Sequence, residues 1–285
     1  MKKFILLVLM LLITQPVFAY NYSNLCAPKP YPVGNSFTRF FSNVTGANFF
    51  ITKVAEMEMQ KALKKDIGSN FNVEIIPYGA KDFINGKFKT MHITSPRVSY
   101  AGLIISDFSA DTVCDYNQVA LKGKEIYFAQ NLVMKYSATI TNDNLKAMTL
   151  TKEYMNILNK MSISYGTNII FKIFSPDASI VGDRLKFKFK IIMPFFLMDD
   201  IADVTVDAGL KIQNEKLVFT DIKLGSDNNR MNLSYLLPLI NKMNPFMTEF
   251  YISKNTKGIF KVKNVKIENN RILIDGLFLV PKNYS

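Results

Sequence analysis

One histidine and two cysteines are all that the 285 residues offer toward metal or redox chemistry. Zinc fingers, haem attachment pairs and iron–sulfur frameworks each need more. Thirteen glycines and eleven prolines are too few for collagen-like or low-complexity architecture. Gly-rich phosphate loops and the G-x-S-x-G elbow of serine hydrolases are absent. Beyond residue 19 no apolar run is long enough for a membrane-spanning helix. What is present is a globular balance, 48% hydrophobic and 20% charged, which excludes disorder as the main state. The length allows one large domain or two small ones, with a sizeable core. Lys and Arg number 35 against 23 Asp and Glu, a net charge of +12. That excess asks for an anionic partner or a cell-envelope setting.

Residues 1–19 stand apart. Lys2 and Lys3 precede an unbroken apolar run, 4–13, and Val17-Phe18-Ala19 ends in the small residues that a signal peptidase reads. The pattern predicts a secretory signal peptide cleaved after Ala19 and a periplasmic or secreted protein. A transmembrane anchor is the alternative, but the run is about half of the ~20 residues a bilayer core requires. In an oxidising compartment Cys26 and Cys114 are expected to form one disulfide, tying an N-terminal arm to the body. Two unpaired thiols remain the other possibility.

Pro28, Pro30 and Pro32 mark residues 20–44 as an extended arm. A helix follows over 45–67, where Ile51, Val54, Ala55, Met59, Ala62 and Leu63 recur at three- and four-residue spacing. Gly68 stops it and Lys61, Lys64 and Lys65 gather at its C-terminal end. From 72 the period becomes two. Strands are expected at 72–77, 86–95, 103–110, 125–128 and 133–141, then a helical stretch at 141–161. The plan repeats over 167–174, 183–193, 202–212, 216–224, 258–267 and 271–280, with a helix near 232–243. One domain over 45–283 results, in two similar halves, 45–162 and 163–283. Gln213-Asn214 and Asn269-Asn270 suit tight hairpins.

The clearest strand places Leu185, Phe187, Phe189 and Ile191 on one face and Lys186, Lys188 and Lys190 on the other. Val204 and Val206 continue the apolar face on the next strand. Such strands form antiparallel sheets with one oily side and one wet side. The expected fold is α+β: a long curved antiparallel sheet wrapped around one long and two shorter helices. The helices cover the oily side and enclose an elongated apolar volume. That volume is either a groove or a solid core.

Three stretches carry a family resemblance. One is the helix-then-strand entry 54–77 ending in Phe83-Ile84-Asn85-Gly86-Lys87-Phe88. Another is the apolar set Met91, Ile93 and Val98 followed by Ala101-Gly102-Leu103-Ile104-Ile105. The last is Ala138-Thr139-Ile140-Thr141-Asn142-Asp143-Asn144-Leu145, a strand feeding directly into a helix. On these the chain resembles the LmeA-like phospholipid-binding family, itself similar in outline to tubular lipid-binding (TULIP-like) domains. The resemblance implies an exported, non-catalytic lipid binder that holds acyl chains in an apolar groove. The residues expected to line it are Leu103, Ile105, Phe108 and Ile140 in the first half. In the second half they are Leu185, Phe187, Phe189, Ile191, Val204 and Val206.

Other chemistry has little to build on. His92 lies on a strand opposite in phase to Met91 and Ile93 and is expected at the surface, not as a base. Asp199, Asp200, Asp203 and Asp207 lack the spacing of a calcium loop, so no metal and no cofactor is expected. Lys186, Lys188 and Lys190 either contact anionic headgroups or form a solubilising outer face. Phe49 and Phe50, with Phe37, Phe40 and Phe41, form either a lip that touches membrane or simple packing. Export, and aromatics kept off the lysine face, exclude nucleic acid as a partner. The expected partners are a phospholipid or other acyl lipid and the surface of an anionic membrane. A structural module of the envelope, binding a protein or anionic polymer through its basic face, is the alternative function.

Overall fold

Two-residue alternation dominates the chain from residue 72, and the computed structural model builds it into two sheets. The structure describes residues 25–26, 29, 31–34, 46–122, 125–161, 163–165, 168–192, 201–226, 240, 244–246, 250–253 and 256–282. The signal peptide expected at 1–19, Phe37, Phe40, Phe41, Asp199, Asp200 and nearly all of the helix expected at 232–243 lie outside them.

In chain order the elements are α1 (Ala47–Ile67), β1 (Asn72–Pro77), α2 (Ala80–Ile84), β2 (Lys87–Tyr100) and β3 (Leu103–Thr112). Then come β4 (Asn117–Lys122), β5 (Glu125–Phe128), β6 (Leu132–Thr141), α3 (Asn142–Thr149) and α4 (Lys152–Met161). The second half holds β7 (Ile163–Tyr165), β8 (Asn168–Val181), β9 (Arg184–Ile192), β10 (Ile201–Gln213) and β11 (Lys216–Ser226). Last are β12 (Phe250–Ser253), β13 (Thr256–Glu268) and β14 (Arg271–Val280).

A nine-stranded sheet runs β12-β13-β14-β6-β3-β2-β4-β5, with β1 also on β2; a five-stranded sheet runs β11-β10-β9-β8-β7. Every pairing among the described residues is antiparallel. The α+β class is as expected, but the strands are divided between two sheets where the sequence predicts one. The division falls after α3–α4. β7–β11 then pair among themselves, while β12–β14 return to β6. The boundary at 162/163 therefore does not separate the sheets.

The helical stretch expected at 141–161 is two helices. Thr141 Oγ accepts from the Asn144 amide at 3.2 Å, and Asn144 Oδ1 accepts from the Thr141 amide at 3.0 Å, a reciprocal cap for α3. Thr151 Oγ then accepts from the Tyr154 amide and restarts the chain as α4. α3 packs on β3 and β6 of one sheet and on β8 of the other. One continuous apolar cluster results, running from Val73 through Leu145, Met148 and Leu158 to Phe187 and Val280. A second joint forms where the β10–β11 hairpin meets β13. The Val262 amide donates to Glu215 O at 2.8 Å, and the Glu215 carboxylate accepts from Lys261 at 2.7 Å and Lys263 at 2.5 Å. Those ammonium groups, Lys261 first, hold the Glu215 carboxyl below the usual carboxylate range.

Residue choice explains the hairpins and the bends. Asn269 and Asn270 both take positive φ, 49° and 57°, at the β13–β14 turn. The β10–β11 turn falls on Asn214 and Glu215, one residue later than expected. Asp107, Ser175 and Asp221 take positive φ within strands. Each sits at a register shift, and such bulges increase local twist.

α1 lies against the free side of β1, where Glu56 Oε1 accepts from the Ile75 amide at 2.8 Å. The helix thus caps a sheet edge. Its buried positions are polar, Thr52 and Glu56, while Val54, expected to face inward, is exposed. The arm is fastened over the outer face of the larger sheet. Cys26 and Cys114 are joined, with Cα atoms 5.4 Å apart, over Val133 and Leu277. Tyr31 donates to Asn117 O at 2.6 Å, and the Gly34 amide donates to the buried Asp82 carboxylate at 3.0 Å.

Two measurements check these fastenings. Replacing Cys26 and Cys114 by serine is expected to lower unfolding free energy by about 2–4 kcal/mol in urea melts, because the crosslink closes a long loop in the unfolded chain. Glu215→Gln is expected to lower the melting temperature at about pH 7 and to change nothing at about pH 2. A carboxyl with a depressed folded pKa adds stability above its unfolded pKa, and loses it as pH falls through the folded one.

Candidate functional site

The inward faces of both sheets converge on one apolar interior, and the side chains expected to line a groove lie in it. Leu185, Phe187, Phe189 and Ile191 are buried along β9. Val204 and Val206 stand directly opposite Phe189 and Phe187 on β10 and are buried with them. Ile105 and Ile140 are buried from the larger sheet, while Leu103 and Phe108 are partly buried against the same cluster. The rings pack closely: Phe187 lies 6.3 Å from Phe189 and 5.3 Å, edge-on, from Phe219.

Coverage of this interior is uneven. Leu210 and Ile212 on β10, Ile222 and Leu224 on β11, and Val265 and Ile267 on β13 are only partly buried against the cluster. Phe260, next along β13, is 37% exposed. Partly buried side chains border the cluster elsewhere too, among them Met59, Phe71, Val119 and Met155, and on β11 the buried Asn244 donates to Leu217 O at 2.8 Å. A separate recess of about 360 Å³ opens at the β13–β14 turn, among Glu268, Asn269, Arg271 and Leu273; it holds none of the expected lining residues.

Tyr154 of α4 places a polar atom in the interior: it is 2% exposed, and its hydroxyl has no hydrogen-bond partner among the described residues. Burial pushes its phenol pKa up, so it is a neutral donor at physiological pH. Buried hydroxyls normally find a partner, and an unpaired one marks a place where a water or a ligand oxygen fits. The sequence analysis passed over this residue. Its signal was a tyrosine four residues before Leu158, on the apolar stripe of a short amphipathic helix.

The polar candidates resolve as surface features. Lys186, Lys188 and Lys190 lie on the outer face of β9. They stand directly opposite Asp207, Thr205 and Asp203 on β10, and opposite Ser179, Asp177 and Phe174 on β8. Each lysine therefore has an acidic residue directly across the ladder, although the Asp207 carboxylate opposite Lys186 is itself paired with Arg184. The stripe is compensated locally, and Asp203 and Asp207 belong to it. His92 Nδ1 lies 2.6 Å from Asp111 Oδ1, both 39% exposed, with Lys135 3.9 Å from the same carboxylate. This is a cross-strand row on the wet face. Phe49 and Phe50 are exposed on the first turns of α1, their rings 5.8 Å apart.

No family model, no curated protein and no solved structure matches the chain.

Tyr154→Phe removes the unpaired hydroxyl without changing shape. It is expected to leave the protein equally stable or more stable, by up to about 1–3 kcal/mol, because the desolvation cost disappears. Urea unfolding measures this. A loss of stability would mean that the hydroxyl has a protein partner.

Proposed function

We propose that the chain is an exported, non-catalytic lipid-binding protein, of the kind the LmeA-like resemblance implies. It holds the acyl chains of a phospholipid or related lipid between its two sheets. The observation that carries this is the apolar interior shared by both sheets, which comes to the surface half-buried along β11 and β13. Strands such as β2 and β8, 14 residues each, run about 46 Å at ~3.3 Å per residue, longer than an extended fatty chain. Each buried methylene contributes about 0.8 kcal/mol, so a sixteen-carbon chain offers about 12 kcal/mol before ordering costs. In a tubular lipid-binding arrangement the two sheets form the wall and α3–α4, which touch both, close one side. The partly covered β11–β13 side is the entrance. The Tyr154 hydroxyl then donates to an ester or carboxyl oxygen of the lipid. Movement of lipid between envelope membranes is the natural use of such a carrier.

A solid-core envelope module is the alternative, favoured by the contacts of Phe187 with Phe189 and Phe219. Its basic-face version draws no support from Lys186, Lys188 and Lys190, which carboxylates face across the ladder.

Uptake of a labelled phospholipid from vesicles separates the two. The wild-type protein is expected to take up lipid. Tyr154→Phe is expected to weaken binding by about tenfold, the equivalent of one hydrogen bond. Phe187→Asp is expected to abolish uptake, and the result counts only where circular dichroism shows that the variant has folded in spite of the buried charge. A folded wild-type protein that acquires no label at saturating lipid would decide for the solid core.

A further inference from the structure

α1 presents an apolar line to solvent although its other side is packed against β1. Phe50, Val54 and Met57 are 70%, 61% and 53% exposed, and Phe49 beside them is 62% exposed. Isolated exposed apolar residues are ordinary, but an aligned set on one helix face marks an interaction surface. The spacing i, i+4, i+7 puts Phe50, Val54 and Met57 on one face, and i+11 and i+14 continue the same line with Lys61 and Lys64. The line is thus greasy in its N-terminal half and basic in its C-terminal half. Lys61 shares its ammonium with Glu58 at 2.7 Å, and Lys64 and Lys65 are exposed in the last turn.

The packing of α1 explains why this line is free. The helix buries Thr52 and Glu56, with Glu56 accepting from the Ile75 amide, and packs Met59, Leu63 and Ile67 against the core. Phe50, Val54 and Met57 therefore form a second apolar line, separate from the row that packs inward.

We propose that α1 is a membrane-docking helix. Phe49, Phe50, Val54 and Met57 enter the acyl boundary of an anionic bilayer, and Lys61 and Lys64 meet its headgroups. The occupant is argued from charge: basic residues continue the apolar line in a chain of net charge +12. A neutral protein partner would have no use for that continuation. The docking face is separate from the interior, and it stands whether or not the core holds lipid.

Cosedimentation with vesicles tests it, using protein purified after export, its mass confirming loss of the apolar leader. The probes are phosphatidylcholine vesicles with and without phosphatidylglycerol. The expected result is binding to the anionic vesicles that weakens with added salt, and at least tenfold weaker binding to neutral ones. Phe50→Ser/Val54→Ser/Met57→Ser and Lys61→Glu/Lys64→Glu alter exposed positions and should leave the fold intact. Each is expected to reduce anionic-vesicle binding at least tenfold, while uptake of labelled lipid into the interior is retained at equilibrium. Equal binding to both vesicle types, no binding to either, or variants that bind like wild type would overturn the proposal. So would a Val54→Cys crosslink that yields a homodimer or a captured protein with no vesicle binding.

Discussion

Strand alternation imposes one constraint on everything else here: each sheet has an oily side that water must not reach. The residues Leu185, Phe187, Phe189 and Ile191 cannot face inward without sending Lys186, Lys188 and Lys190 outward. The same alternation governs β6, β10 and β14. Nine strands and five strands bring two such faces, and neither closes on itself. They are turned toward a common interior, joined by α3, which packs on both, and Leu145, Met148 and Leu158 of α3 and α4 belong to it. Burial of apolar area at about 25 cal/mol per Å² is the dominant favourable term in such an arrangement.

The polar contacts are secondary, and they act at the margins. Glu56 of α1 satisfies the Ile75 amide at the edge of the larger sheet. Glu215 fastens the β10–β11 hairpin to β13 through two lysines and a backbone bond. The Cys26–Cys114 bridge and Tyr31 hold the arm across the outer face. Of these, Glu215 is the contact that joins the two sheets, and the others fasten α1 and the arm to the larger one. They leave the β11–β13 side partly uncovered, and they leave the apolar line of α1 facing water. The proposed function and the proposed docking face rest on these two exposed features.

How much of this was legible in the sequence depends on the range of the interaction. Local periodicity was readable: β1, β5 and β14 coincide with the expected ranges, and the facing of β9 against β10 follows from alternation alone. The Asn269-Asn270 turn was readable because asparagine tolerates positive φ. Short elements with little pattern, α2, β4, β7 and β12, were missed. The division into two sheets was not readable, because β14 pairs with β6 across most of the chain. The bulges at Asp107, Ser175 and Asp221 use residues with no glycine signature. In α1 the spacing was real, but Val54 faces outward, while Glu56, a charged residue, finds its partner on the sheet edge. The lysine stripe looked like an open basic face until the register placed Asp177, Asp203 and Asp207 opposite. Tyr154 was hidden for a similar reason: whether a hydroxyl has a partner is a tertiary fact.

The central claim is that the interior between the sheets is completed by lipid and not by protein alone. Native mass spectrometry of the gently purified protein addresses it most directly. The account predicts a folded species heavier than the polypeptide by the mass of one or more acyl lipids, released on denaturation and identifiable in the organic extract. A folded protein that appears only at its bare polypeptide mass, with an extract free of lipid, would contradict it.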